Sequence, residues 1–137
     1  MSVILTDLNA LKAINDQHGH VVGNRAVLAL GSILRSNARR EDLPCRYGGD
    51  EFAVVMPGAE FSAAEALRER LERACAGVSQ QEIPGWQGAA FGVGTCPEDG
   101  TSAEVIISAA DERAYERKRA HYELLKQQGR GEGLRTC

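Results

Sequence analysis

Two adjacent carboxylates, Asp50 and Glu51, follow two glycines in the stretch RYGGDEF, and another, Asp7, stands at the end of an apolar run near the N-terminus. A hairpin turn accounts for Gly48 and Gly49, because glycine tolerates the positive φ of tight turns. It does not account for the acids. If the N-terminal strand and the hairpin are neighbours in a sheet, Asp7 and Asp50 converge on one edge. Two carboxylates sharing a small volume repel each other unless a cation lies between them. Mg2+ suits such a place, since it takes one or two carboxylates and completes its shell with phosphate oxygens. A turn without side chains beside the acids also lets phosphate approach the backbone closely. Glu51 is expected on the opposite side of the strand from Asp50 unless the turn rotates it. The competing reading is that acids at turns face solvent and hold nothing.

Those acids need a sheet to bring them together, and the apolar pattern predicts one. Residues 2–6 (SVILT) read as a buried strand, followed by a short helix from Ala10 to Asp16 and a loop, QHGHVVG. Asn24 is placed to cap the next helix, where Val27, Leu30 and Leu34 share one face. Leu43 to Tyr47 and Phe52 to Met56 read as a hairpin around the two glycines. Ser62 to Glu65 has the form of a capping box, with Ala64, Leu67, Leu71 and Ala74 as the apolar stripe behind it. QGAAFGVGT reads as a last strand, and Thr101 to Glu104 as the cap of a final helix ending near Gln128. The tail over residues 129–137 reads as loose. The order β-α-α-β-β-α-β-α predicts a single α/β domain over residues 1–137, with a mixed central sheet flanked by helices.

The rest of the composition removes several classes of function. No apolar run is long enough to cross a bilayer and no secretory signal opens the chain, so a cytoplasmic protein without direct membrane insertion is expected. The 4 cysteines are scattered and read as reduced thiols. His18, His20 and His121 lack a third close ligand and read as loop packing rather than a metal set. A net charge of −3 argues against DNA binding, while a local group of Lys and Arg is enough for a small phosphorylated ligand.

RYGGDEF, preceded by D-L-N-A-L-K-A-I-N-D-Q-H-G-H-x-x-G-N, closely resembles the GGDEF family of diguanylate cyclases, with a palm-like, nucleotidyl-cyclase-like fold. FGV at Phe91 to Val93, PEDG at Pro97 to Gly100 and ADERAYERK from Ala110 to Lys118 extend the likeness over nearly the whole chain. The resemblance implies that each domain holds one GTP, that two domains face each other as a homodimer, and that cyclic di-GMP and pyrophosphate are the products. It implies two Mg2+ ions per half-site, with Mn2+ as a substitute, held by Asp7, Asp50 and the carbonyl of Leu8, and Glu51 assisting catalysis. The amides of Ala10 and Leu11, with Lys12, Lys118 and the Gly48-Gly49 turn, would hold phosphates, as helix N-termini do. Asn15 and position 24 would contact guanine. Arg39 and Asp42, in an R-x-x-D pattern, would form an inhibitory product site completed by Arg70 of a neighbouring domain.

Two positions depart from the family pattern. Position 24 is usually Asp, which accepts both guanine protons; Asn24 offers one acceptor and one donor, matching the adenine edge instead. A relaxed purine preference is therefore expected. The arginine that often follows the matched lysine by four residues is replaced by Tyr122; either Arg130 has moved into that role or the contact is missing. The family's usual N-terminal segment, with its L-T-G-L-x-N-R motif, has no counterpart, so the chain reads as a fragment whose full-length protein carries an upstream sensory or dimerisation domain. A non-catalytic module that binds cyclic di-GMP as a receptor is the alternative to the enzyme.

Overall fold

Ser2–Leu8 (β1) is buried on both faces along most of its length, as an apolar run must be when helices cover both sides of a sheet. The computed structural model describes the backbone of residues 1–135 and the side chains of residues 1–128. After β1 come Leu11–His18 (α1), His20–Asn37 (α2), Leu43–Arg46 (β2), Glu51–Met56 (β3), Phe61–Ala76 (α3), Ala89–Thr95 (β4) and Ala103–Arg135 (α4). The predicted order of elements is the observed one.

The sheet runs β2-β3-β1-β4. Every neighbouring pair is antiparallel, so the expected mixed sheet is corrected. The reason is in the connections. A helical crossover returns a strand to the direction of the one before it, but here each crossover skips a position: β3 lies between β1 and β2, and β1 lies between β3 and β4. The register puts Asp7 opposite Glu51 on one side and Ala90 on the other.

Side chains alternate across the sheet. Ile4, Leu8, Val54 and Phe91 join Leu30 and Leu34 of α2 and Leu67 and Leu71 of α3 in one large cluster. Each fully buried side chain of that size contributes about 1.5–3 kcal/mol. On the other face Val3, Leu5 and Ala53 meet Ile106 and Ala110 of α4 in a smaller cluster. There α4 comes in very close, because a Cβ at Gly92 would overlap the carbonyl oxygen of Ala110.

Helix ends differ from expectation in three places. The anticipated QHGHVVG loop shrinks to Gly19, whose amide bonds Asn15 O at 2.9 Å while its own carbonyl accepts from Gly23 N at 3.2 Å. The helix α2 therefore starts at His20, directly behind Gly19 and with no side-chain cap, and Asn24 lies inside the helix rather than capping it. The capping box at Ser62 is not formed: α3 starts at Phe61 behind Glu60 with no side-chain cap, and Cys75 rather than Ala74 completes its buried stripe. The last helix is capped by Ser102, whose hydroxyl accepts from Val105 N at 3.3 Å, one residue later than Thr101. Its backbone continues to Arg135, past the expected end at Gln128 and through most of the stretch read as loose; Thr136 and Cys137 lie outside the described residues.

Candidate active site

Asp7 is the next-to-last residue of β1 and points to the α4 face with Val3 and Leu5. Asp50 precedes β3, and its carbonyl accepts from Leu8 N at 3.0 Å. Those pairings place both aspartates on one rim of the sheet. Glu51, opposite Asp7 in the ladder, falls on the α4 face too and is exposed. The turn between the strands is held by Arg46, whose Nε donates to Gly48 O at 3.0 Å and whose Nη2 donates to Gly49 O at 2.7 Å. That clamp shapes the turn from which Asp50 leads into β3, and residue pattern alone does not show it. An arginine just ahead of two glycines is the signal that was there to use.

The rim is short of positive charge. Lys118 of α4 donates to Asp7 Oδ2 at 2.8 Å, and Asp7 Oδ1 is buried with no partner. Burial holds the Asp7 carboxyl above its ordinary value; Lys118 pulls it down, and the nearby Asp50 pushes it up again. Burial draws Lys118 down, yet the hydrogen bond and charge of Asp7 outweigh this and leave it above the ordinary lysine value. The Tyr47 phenol is likewise raised, by burial first and then by the charges of Glu51, Asp111 and Asp7. A cleft of about 250 Å³ lined by Asp7, Asp111, Tyr115 and Lys118 opens beside these groups. Among the described residues, no group of three or more His, Cys, Asp or Glu side chains forms a ready metal cage. A pair of carboxylates, one with an unpartnered buried oxygen, is instead the sparse donor set that Mg2+ accepts when phosphate supplies the rest. The residues fit the ion.

Ala10 links β1 to α1 in the left-handed region at φ 58°, with no side-chain cap on the helix. Its amide donates to Tyr122 Oη at 2.9 Å. Lys12 is exposed on α1, while Leu11 is half-buried beneath it. At the other end of α1, Asn15 lies over Gly23, where a Cβ would overlap Asn15 Oδ1, and Asn24 is the exposed next residue. Of the two residues expected to contact the base, Asn15 thus packs on Gly23, the residue immediately before Asn24.

The R-x-x-D pair sits apart, past the end of α2. Asp42 is buried and closed on Arg39: Oδ2 accepts from Arg39 N at 2.8 Å and Oδ1 from Arg39 Nη2 at 3.0 Å. Arg70 of α3 donates to Asn37 O at 3.3 Å, so within one chain it already stands at the same end of α2. The histidines stay separate, His121 pairing with Gln87 at 3.0 Å. Arg130 lies outside the residues whose side chains are described.

A family model described as "Diguanylate cyclase, GGDEF domain" matches residues 1–123. The chain belongs to the GGDEF family. It is 34% identical over 122 residues to the response regulator PleD of Caulobacter vibrioides, covering 86% of this chain and 27% of the relative. It is 32% identical over 124 residues to diguanylate cyclase A of Treponema denticola, covering 86% of this chain and 32% of the relative. The chain thus spans about a third or less of the length of these curated relatives. Among solved structures, the active GGEEF domain of a diguanylate cyclase from Vibrio cholerae superposes with a TM-score of 0.78 at 26% identity, over 87% of this chain and 76% of that one.

In this GGDEF domain the PEDG stretch has a structural task. Asp99 accepts from Thr95 N at 2.9 Å and from both terminal nitrogens of Arg113, at 2.8 and 2.7 Å. Arg113 also donates to Val93 O at 2.7 Å. The loop after β4 is thereby tied to α4, the helix that carries Lys118 and Tyr122. No helix among the described residues is long and apolar enough to cross a membrane.

Proposed function

We propose that this GGDEF domain condenses two molecules of GTP into cyclic di-GMP, with two copies of the domain facing each other and each contributing one bound nucleotide. The observation that carries the proposal is the meeting of Asp7 and Asp50 on one rim, with a buried Asp7 oxygen left without a partner. In each half of the reaction the 3′-hydroxyl of one GTP attacks the α-phosphorus of the other. A new phosphorus–oxygen bond forms, the bond to the bridging oxygen breaks, and pyrophosphate leaves; the second half closes the ring. Mg2+, when bound, neutralises phosphate charge and polarises the phosphoryl group.

The chain's own residues do the positioning. Asp7, Asp50 and the Leu8 carbonyl hold two metal ions, and Mn2+ can replace Mg2+. Lys12 and Lys118 balance the triphosphate, and the amides of Ala10 and Leu11 with the Gly48-Gly49 turn place it. Glu51, exposed on the same face as Asp7, is free to take the proton from the attacking hydroxyl. Asn15 and Asn24 receive the base, with the amide of Asn24 accepting adenine as well as guanine. Arg39, Asp42 and Arg70 bind the product and slow the enzyme. Two copies come together in the cytoplasm, where GTP is available.

Incubation of the purified chain with GTP and Mg2+ tests the reading. Cyclic di-GMP formed by the wild type, and reduced about 10²–10³-fold in Asp50→Ala, is the expected result. A second reading, a module that binds cyclic di-GMP without making it, is favoured by one observation: the Ala10 amide is already occupied by Tyr122. Binding of cyclic di-GMP by a chain that never turns over GTP would establish that one instead.

A further inference from the structure

Segment 7–10 has an uneven set of hydrogen bonds. Leu8 N and Asn9 N are taken up by backbone carbonyls of Asp50 and Gly88, at 3.0 and 2.9 Å. Ala10 N is the next amide along, at the mouth of α1, and a side chain 112 positions away takes it. The acceptors around it are open: Asp7 Oδ1 and Asn9 Oδ1 are both buried without partners. Ala10 is also the one residue other than glycine with positive φ among the described residues. An alanine in that region is held there by its surroundings rather than by its own preference.

Tyr122 is well placed to do the holding. Its ring stacks edge-on against His121, with centroids 5.5 Å apart, and His121 is fixed by Gln87 at 3.0 Å. Gln87 O in turn accepts from Asn9 Nδ2 at 3.0 Å, which closes the circuit beside Ala10. One turn earlier on α4, Lys118 covers Asp7 Oδ2. A single face of α4 therefore gives a cation to the carboxylate and an oxygen to the amide. Those are the two kinds of partner that a metal-bound polyphosphate would bring.

We propose that Tyr122 is a specificity-determining residue of the phosphate site, its hydroxyl oxygen standing where a polyphosphate oxygen would accept from Ala10, so that ligands must displace it to bind. This rests on the reading of the α1 mouth as a phosphate site. A phosphate oxygen carries charge and is the stronger acceptor for the same N–H, so the exchange goes forward for a polyphosphate. A ligand that brings no charged oxygen to that position leaves Tyr122 in place. Tyr122 thereby screens the Ala10 amide from ligands that offer only a neutral oxygen there, at the expense of one hydrogen bond of polyphosphate affinity.

The probe is inorganic tripolyphosphate with Mg2+, titrated into the full chain and into Tyr122→Phe, which keeps the ring and removes the hydroxyl. Calorimetry is expected to show binding about fivefold tighter in the variant, the weight of one neutral hydrogen bond. In the wild type, the Ala10 amide resonance and the Tyr122 ring resonances are expected to shift together as ligand is added. A residue that only braced the fold would weaken binding when altered, not strengthen it. Equal or weaker binding by Tyr122→Phe, an Ala10 shift with a silent Tyr122 ring, or no tripolyphosphate binding by either protein overturns the proposal. Cyclase activity is read separately: tighter tripolyphosphate binding without cyclic product leaves Tyr122 its role and removes the enzyme. Product formation with an indifferent Tyr122→Phe does the reverse.

Discussion

The two faces of the sheet are built on different principles. Towards α2 and α3, large apolar side chains interlock around two buried hydroxyls of β1, Ser2, which bonds Ala59 O, and Thr6, whose oxygen has no partner. Towards α4, the apolar cluster is small, backbone approaches backbone at Gly92, and the strand ends carry Asp7 and Glu51 with Lys118 as the facing cation. The first face draws its stability chiefly from apolar burial. The second holds charges together that would separate in water, and it leaves one of their oxygens unsatisfied. Charges can be held together on one face because the other buries most of the apolar surface.

Leu71→Ala and Gly92→Ala compare the faces most strongly. Leu71 is fully buried, so its truncation is expected to remove about 2–5 kcal/mol in denaturant titration, with nucleotide affinity unchanged under folding conditions. Gly92→Ala forces α4 off the sheet and is expected to remove about 1–3 kcal/mol; because α4 carries Lys118 and Tyr122, affinity for Mg·GTP falls with it. Should Leu71→Ala lose nucleotide affinity and Gly92→Ala keep it, the division between the faces is wrong.

Asp7→Asn sharpens the electrostatic side. The folded Asp7 carboxyl lies above its ordinary value of 3.8, so between those values the native state holds more protons than the unfolded state. Its contribution to stability therefore falls as pH rises through the raised value. Removing the charge removes that loss. The melting temperature of Asp7→Asn relative to wild type is expected to climb as pH rises from the ordinary value of 3.8 through the raised one, while metal-dependent nucleotide binding disappears. A relative melting temperature that drops over the same interval would mean that the Lys118 pair outweighs burial.

The smallest expected effect is at Asn24, which belongs to neither face but to the exposed side of α2. Asn24→Asp is expected to raise preference for GTP over ATP by about tenfold, the difference between a charged and a neutral hydrogen bond to guanine. Competition between the two nucleotides on the purified protein measures it. No change on substitution would leave the base to be selected elsewhere.

How much of this was legible beforehand depended on range. Element order and the hairpin could be read because they follow from apolar periodicity and glycine within a few residues. Helix starts differ from expectation at Asn24 and Ser62 because α2 begins behind Gly19 and α3 behind Glu60 without a side-chain cap, so the residue types that mark a cap in sequence go unused there. Strand direction was misjudged because the pattern does not reveal that each crossover skips a strand. Asp7 and Asp50 were singled out correctly as neighbours on one rim, from their places at the ends of adjoining strands. That Lys118 caps one oxygen of Asp7, and that Arg46 holds the glycine turn, came only with coordinates.

By itself the sequence determined the family, the order of the elements and the residues able to carry charge, since each is written in local pattern. Only the tertiary structure decided which of those charges are paired and which atoms are left over. Partners such as Ala10 and Tyr122 are 112 positions apart. Their meeting depends on how closely α4 settles against the sheet, and that is set by packing along the whole face rather than by either residue.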